Sequence, residues 1–277
     1  MISLEAFVLV SLVAAGNAFL FGDPDWNNLR VTWSPNPFGT YGFNAMPRTV
    51  DDAKAQGFVL ETGCGAHGIA GQRYVKGRDY ALVLLYDRNG YIAGIQIGVP
   101  KNESAGFPPT KQVNHPFVPI GNMYFLTAYF TDPATICSHG RTSQQFTAEG
   151  TGNSLYIQNG TDPVADSLKM PMTPTDADKT RWTRGYCFVT MGLHYWYDVS
   201  TDMSCDDFFP VFLLYNHGKL NAFGWAIGTA MSSPHMEHPT SDVIKQFVQP
   251  VPTCLVQKPH LSTMHIYMTN LPLADTC

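Results

Sequence analysis

Residues 208–227, FFPVFLLYNHGKLNAFGWAI, are two apolar runs joined by a turn, and they constrain the chain more than any other stretch. Phe208, Phe209, Val211, Phe212, Leu213, Leu214 and Tyr215 make a nearly unbroken β-prone run, the pattern of a strand covered on both faces. Asn216, His217 and Gly218 supply turn chemistry, because Asn and Gly tolerate positive φ. The return run alternates. It predicts Leu220, Ala222, Gly224 and Ala226 on one side and Asn221, Phe223, Trp225 and Ile227 on the other. Pro210 cannot donate a ladder hydrogen bond, so it marks a strand start or an edge. Residues 80–99, YALVLLYDRNGYIAGIQIGV, follow the same plan. There Leu84-Leu85-Tyr86 stands for Leu213-Leu214-Tyr215, and Gly90 for Gly218.

Further signals recur in the same order around the two hairpins. Thr49-Val50-Asp51-Asp52, a capping threonine answered by an acidic residue, resembles Thr175-Asp176-Ala177-Asp178. Gly57 ends the first short helix, and Phe58-Val59 after it resembles Phe188-Val189. His67 parallels His194. Pro109-Thr110 parallels Pro239-Thr240, and Phe117-Val118-Pro119 parallels Phe247-Val248 with Pro250. Tyr129 and Thr131 before Cys137 parallel Tyr267 and Thr269 before Cys277. The order predicts two tandem copies of a helix–strand–hairpin–helix–strand unit, residues 47–137 and 173–277. Ser241 is expected to cap a helix reaching Val248. The fold class is then α+β and β-rich, with about eight strands in a pseudo-two-fold fused sheet or barrel-like sandwich. Residues 19–46 read as an aromatic N-terminal arm wrapping the first lobe. Residues 138–172, rich in Ser, Thr, Gly, Asn and Gln, read as a polar linker or long loop. Chance likeness of two β-rich halves is the alternative.

The chain has 277 residues, 44% hydrophobic and only 14% charged, enough for a sizeable core. Net charge is −5 with no basic run, which speaks against nucleic acid as a partner. Residues 1–18 read as a secretory signal peptide, with an apolar stretch before Gly16-Asn17-Ala18. Glu5 and the lack of an early Lys or Arg depart from the usual signal, and a buried N-terminal helix is the alternative. No other window is long and apolar enough to span a bilayer. Six cysteines follow, Cys64, Cys137, Cys187, Cys205, Cys254 and Cys277, which implies three disulfides in an oxidising compartment. The repeat pairs Cys64 with Cys137 and Cys187 with Cys277, leaving Cys205 for Cys254. Asn102 and Asn159 begin glycosylation sequons.

Chemistry is harder to find. There is no GxSxG elbow and no helical HExxH, and His235-Met236-Glu237-His238 sits between prolines. Residues 63–68 fit GxGxxG as a string, but a hairpin follows instead of a helix. Asp51-Asp52 and Asp206-Asp207 are adjacent pairs, which a strand would point to opposite faces. Three histidines, His67, His194 and His265, are candidates for a general base or a metal ligand, with satisfied core histidines as the plainer account. Tyr129, Tyr195, Trp196, Tyr197, Phe223 and Trp225 are candidates to line an apolar pocket.

The expected function is therefore a secreted, disulfide-bonded glycoprotein that binds an apolar small molecule, a lipid or an extracellular protein at the inter-lobe junction. The rival expectation is an extracellular enzyme using the histidines there, with or without a metal. A matrix component is a third, opposed by the absence of low-complexity sequence. No cofactor is specified by any motif.

Overall fold

The computed structural model describes residues 25–36, 40–101, 116–257 and 261–277. The expected signal peptide and the Asn102 sequon lie outside the described residues. Two short strands come first, β1 (Arg30–Val31) and β2 (Asn44–Ala45), then helix α1 (Val50–Ala55). The next group is β3 (Val59–Thr62), β4 (Gln72–Val75), β5 (Val83–Tyr86), β6 (Ile92–Pro100), β7 (Phe117–Ile120) and β8 (Met123–Tyr129). Helices α2 (Pro133–Ile136) and α3 (Ser143–Glu149) lead to β9 (Tyr156–Gln158) and β10 (Ser167–Lys169). After α4 (Pro174–Ala177) come β11 (Trp182–Phe188), β12 (Gly192–Tyr197), β13 (Val211–Asn216) and β14 (Lys219–Ile227). Helices α5 (Ser241–Ile244) and α6 (Thr253–Gln257) precede β15 (Ser262–Tyr267).

These strands form two antiparallel sheets. The first runs β10-β9-β8-β6-β5-β4-β3, with β7 also on β8; the second runs β11-β12-β13-β14-β15-β1-β2. The expected fused sheet or barrel-like sandwich thus resolves into two separate sheets facing one core. Leu84, Ile95, Ile97 and Leu126 of the first meet Leu213, Phe223, Trp225 and Ile266 of the second, all buried. Phe130 and Phe223 touch edge to face with ring centres 6.3 Å apart. Each such side chain contributes about 1.5–3 kcal/mol by leaving water, so this layer is the principal source of stability.

Local chemistry explains the central hairpin. His217 and Gly218 both have positive φ, giving a two-residue turn between Asn216 and Lys219. A bulge follows: Leu214 pairs with Ala222 and Tyr215 with Leu220, so Asn221 is the extra residue. The bulge moves Leu220 to the side of Phe223, against the strict alternation expected. The first hairpin has the same feature, with Ala93 as the extra residue between Ile92 and Gly94.

Four other expectations are corrected. The arm does not wrap the first lobe. Its β1 pairs with β15 of the second sheet, and the Trp26 indole N–H donates to Leu220 O at 2.8 Å. The stretch expected as a linker or long loop instead contains α3, β9 and β10, and β9 pairs with β8 of the first sheet. The threonine that caps α4 is Thr173, not Thr175, because Pro174 occupies the first helical position, where a missing N–H costs nothing. Likewise α5 is capped by Thr240 and ends at Ile244, well short of Val248. Thr49 caps α1 as expected.

The disulfides are Cys64–Cys137, Cys187–Cys277 and Cys205–Cys254, and no described cysteine is free. No described helix is long and apolar enough to cross a membrane.

Candidate functional site

Each sheet has an outer face turned away from the shared core, and each outer face buries polar groups. On the first sheet these are Arg73, Gln96 and Thr127. The Arg73 Nε donates to Gln96 Oε1 at 2.9 Å, and Gln96 Nε2 donates to Thr127 Oγ1 at 2.7 Å. Arg73 also pairs with Glu61 at 3.1 Å and lies 4.4 Å from the centre of the Phe125 ring. This row is a chain of hydrogen bonds anchored by a buried guanidinium.

The second outer face is built differently. Trp196, Phe212 and Tyr267 form its floor, and Ile244, Phe247, Leu255 and Leu261 cover it from the segment carrying α5 and α6. The Cys205–Cys254 bridge ties α6 to the loop before β13, which holds this cover in place. Into this apolar layer project His194 from β12 and His265 from β15, with relative exposures of 1% and 4%. Their ring centres are 6.2 Å apart and their planes nearly perpendicular, at 84°.

Each ring is held through Nδ1. The His194 Nδ1 lies 3.1 Å from Gly192 O and 3.2 Å from Tyr186 O. A carbonyl only accepts, so this nitrogen carries the proton. His265 Nδ1 lies 2.6 Å from Glu237 Oε2. Glu237 comes from the loop after β14, where it bridges backbone to Thr263. It also accepts from Trp33 N at 2.6 Å, from Thr263 Oγ1 at 3.0 Å and from His265 N at 3.3 Å. Burial alone would raise the Glu237 carboxyl, but the neighbouring His265 and these donors outweigh it and hold the group below its ordinary value. Burial, reinforced by the neighbouring His265, lowers the His194 pKa to about 3 despite its two carbonyl partners. His194 is therefore neutral at physiological pH.

Two of the three candidate histidines are thus brought together. His67 is not among them; it is exposed on the 3₁₀ turn after β3, on the other sheet. Sequence reading missed Glu237 as the partner, because nothing in spacing announces a contact between residues 28 positions apart. Among the described residues no three His, Cys, Asp or Glu side chains converge as a metal cluster.

The aromatic candidates disperse. Tyr195, Phe223 and Trp225 fill the layer between the sheets. Trp196 lies on the second outer face and Tyr129 on the first. Tyr197 packs against Trp182 and Phe209. A separate cleft of about 550 Å³ opens beside the second outer face, lined by Ala230, His238, Pro239, Thr240, Ser241, Asp242 and Leu261. Comparison of the chain with known protein families, curated proteins and solved structures finds no match.

Proposed function

We propose that the protein is a secreted, disulfide-stapled glycoprotein that acts by binding, and that its body is one unit used twice with the arms exchanged. The three bridges without a free thiol, each closing a loop of 49 to 90 residues, support the extracellular assignment.

Matched hydrogen bonds support the duplication. Tyr86 Oη donates to Pro47 O at 2.8 Å, and Tyr215 Oη donates to Pro171 O at 2.8 Å. Ile92 N donates to Arg48 O as Leu220 N does to Met172 O, and Phe130 N to Ala93 O as Met268 N does to Asn221 O. Met46 N donates to Leu29 O, and Met170 N to Leu155 O. In this reading β1 and β2 correspond to β9 and β10. The arm before α1 completes the second sheet, and the arm before α4 completes the first. The repeated unit then begins well before residues 47 and 173.

If the inner layers are equivalent, specific function belongs where the halves differ, on the outer faces. The seam between the sheets is filled by Tyr195, Phe223 and Trp225, three of the aromatics expected to line a pocket. We therefore assign the ligand to the cleft beside the second outer face. Ala230, Pro239 and Leu261 offer apolar contact there, and His238, Thr240, Ser241 and Asp242 offer polar anchors. A small, mainly apolar molecule with one polar end fits that chemistry. That cleft is the observation that carries the binding assignment.

Native mass spectrometry of protein secreted from eukaryotic cells tests it. A bound small molecule should appear with the intact chain and be lost in Ala230→Trp, which fills the cleft. A ligand-free wild type, or a ligand retained by the variant, would count against the assignment. The enzyme reading ranks second. The contact of His194 with His265 favours it, but the enclosure of both rings keeps a substrate away.

A further inference from the structure

We propose that His194 and His265 form a two-nitrogen site for a soft monovalent d10 cation, copper(I) in the extracellular setting. The inference does not depend on the cleft or its ligand.

The geometry comes from the anchors. In an imidazole ring the edge opposite Nδ1 carries Nε2. His194 is held by Tyr186 O on β11, beyond one flank of β12, while His265 is held by Glu237, beyond the far flank of β15. The two rings meet between these anchors, and in the proposed site their Nε2 edges face each other. The His265 Nε2 is buried and has no hydrogen-bond partner among the described residues. A buried polar atom without a partner is costly, and metal-binding histidines characteristically have Nδ1 engaged by a carboxylate or a carbonyl. Both rings meet that description. With metal–nitrogen bonds of about 2 Å and the ring centre roughly 1 Å behind each nitrogen, a linear bridge sets the centres roughly 6 Å apart. The observed separation is 6.2 Å.

The ligand count selects the ion. Zinc takes four ligands in a structural site and three plus water in a catalytic one. Two nitrogens in an apolar enclosure satisfy a d10 monovalent ion, for which two-coordination is ordinary. The two carbonyls on His194 Nδ1 place that ring's proton there, which makes Nε2 the nitrogen available to a metal. Phe212 packs on both rings, at 5.7 Å from His194 and 5.0 Å from His265, and walls the pair from water. Glu237 acts as a positioning residue that fixes the His265 tautomer. No electron transfer is implied; the ion is bound as Cu(I), and entry accompanies folding or local opening.

Silver(I), a redox-inert stand-in, is the probe. The full mature chain is titrated with silver nitrate in chloride-free buffer, followed by calorimetry and by ¹⁵N NMR of the histidine rings. One ion per chain should bind, with the Nε2 signals of two histidines moving together. Affinity should fall in His194→Phe and His265→Phe by more than the ~10–100-fold expected when only an outer partner is lost, the range that applies to Glu237→Gln. Phenylalanine keeps both sites apolar and filled, and thermal unfolding of each variant checks its fold. Should a variant fail to fold, the wild-type NMR decides. Unchanged silver affinity in the folded variants, movement of one Nε2 or none, or zinc binding the same pair at least as tightly would overturn the proposal.

Discussion

Gly224 sits at the centre of the second outer face, beneath the Phe212 ring that touches both buried histidines. A Cβ added there would lie 2.1 Å from Phe212 Cζ and 2.6 Å from Met264 O. The ring can shift, but the paired backbone carbonyl cannot. Gly224→Ala should therefore lower stability by about 1–3 kcal/mol, the range for overpacking, and denaturant unfolding measures it. An unchanged midpoint would mean that the strand has slack the packing denies. Asp275 offers a second residue-level test. Burial raises its carboxyl to about 6, against the opposing Asn221 bond and the His217 charge. The folded state then holds a proton that the unfolded chain has lost, so stability is lost as pH rises from near 4 through 6. Asp275→Asn should remove that dependence and gain on the order of 1–2 kcal/mol above pH 7, after discounting for solvent screening. Stability profiles of the two proteins that run parallel across this window would contradict the assignment. Residues of this kind were not legible in the sequence. His194 and His265 could be picked out by their apolar surroundings, but Glu237 could not, since its role comes from a loop folding back onto β15.

Short elements carry much of the specification. Thr49 and Thr173 accept from the backbone N–H of Asp52 and Asp176, each at 3.2 Å. Replacing either with Ala should cost about 1 kcal/mol, and the two losses should add because the caps lie in separate elements. Chemical denaturation of the single and double variants checks both statements. The arm is a stronger case. Trp26 is buried at 3% exposure and reaches Leu220 O, so Trp26→Ala should cost about 3–5 kcal/mol. Hydrogen exchange should then rise in β14 and β15 more than in β5 and β6. Equal loosening of both sheets would argue that the arm is not specific to the second. The hairpins were legible because long apolar runs, turn residues and glycines agreed on one structure. The arms were not, because β1 and β2 have two residues each, too short to show a period. Their partners are set by the fold, not by local preference.

At the scale of the whole molecule, two sheets share one filled core and turn chemically distinct outer faces to either side. Removing Cys205 and Cys254 together should loosen the cover over the second face while leaving the sheets paired. A cost of about 2–4 kcal/mol follows from opening that loop. The disulfide pairing was expected from the like signals around Cys137 and Cys277, whereas the proposed exchange of arms rests on which sheet each strand joins. The most direct test of one unit used twice with exchanged arms is an experimental structure in which the halves are superposed. The account predicts Leu29 upon Leu155, Met46 upon Met170 and Tyr86 upon Tyr215, with residues 30–31 beside β15 and residues 156–157 beside β8. Halves that fail to superpose, or an arm lying against the sheet of its own half, would contradict it.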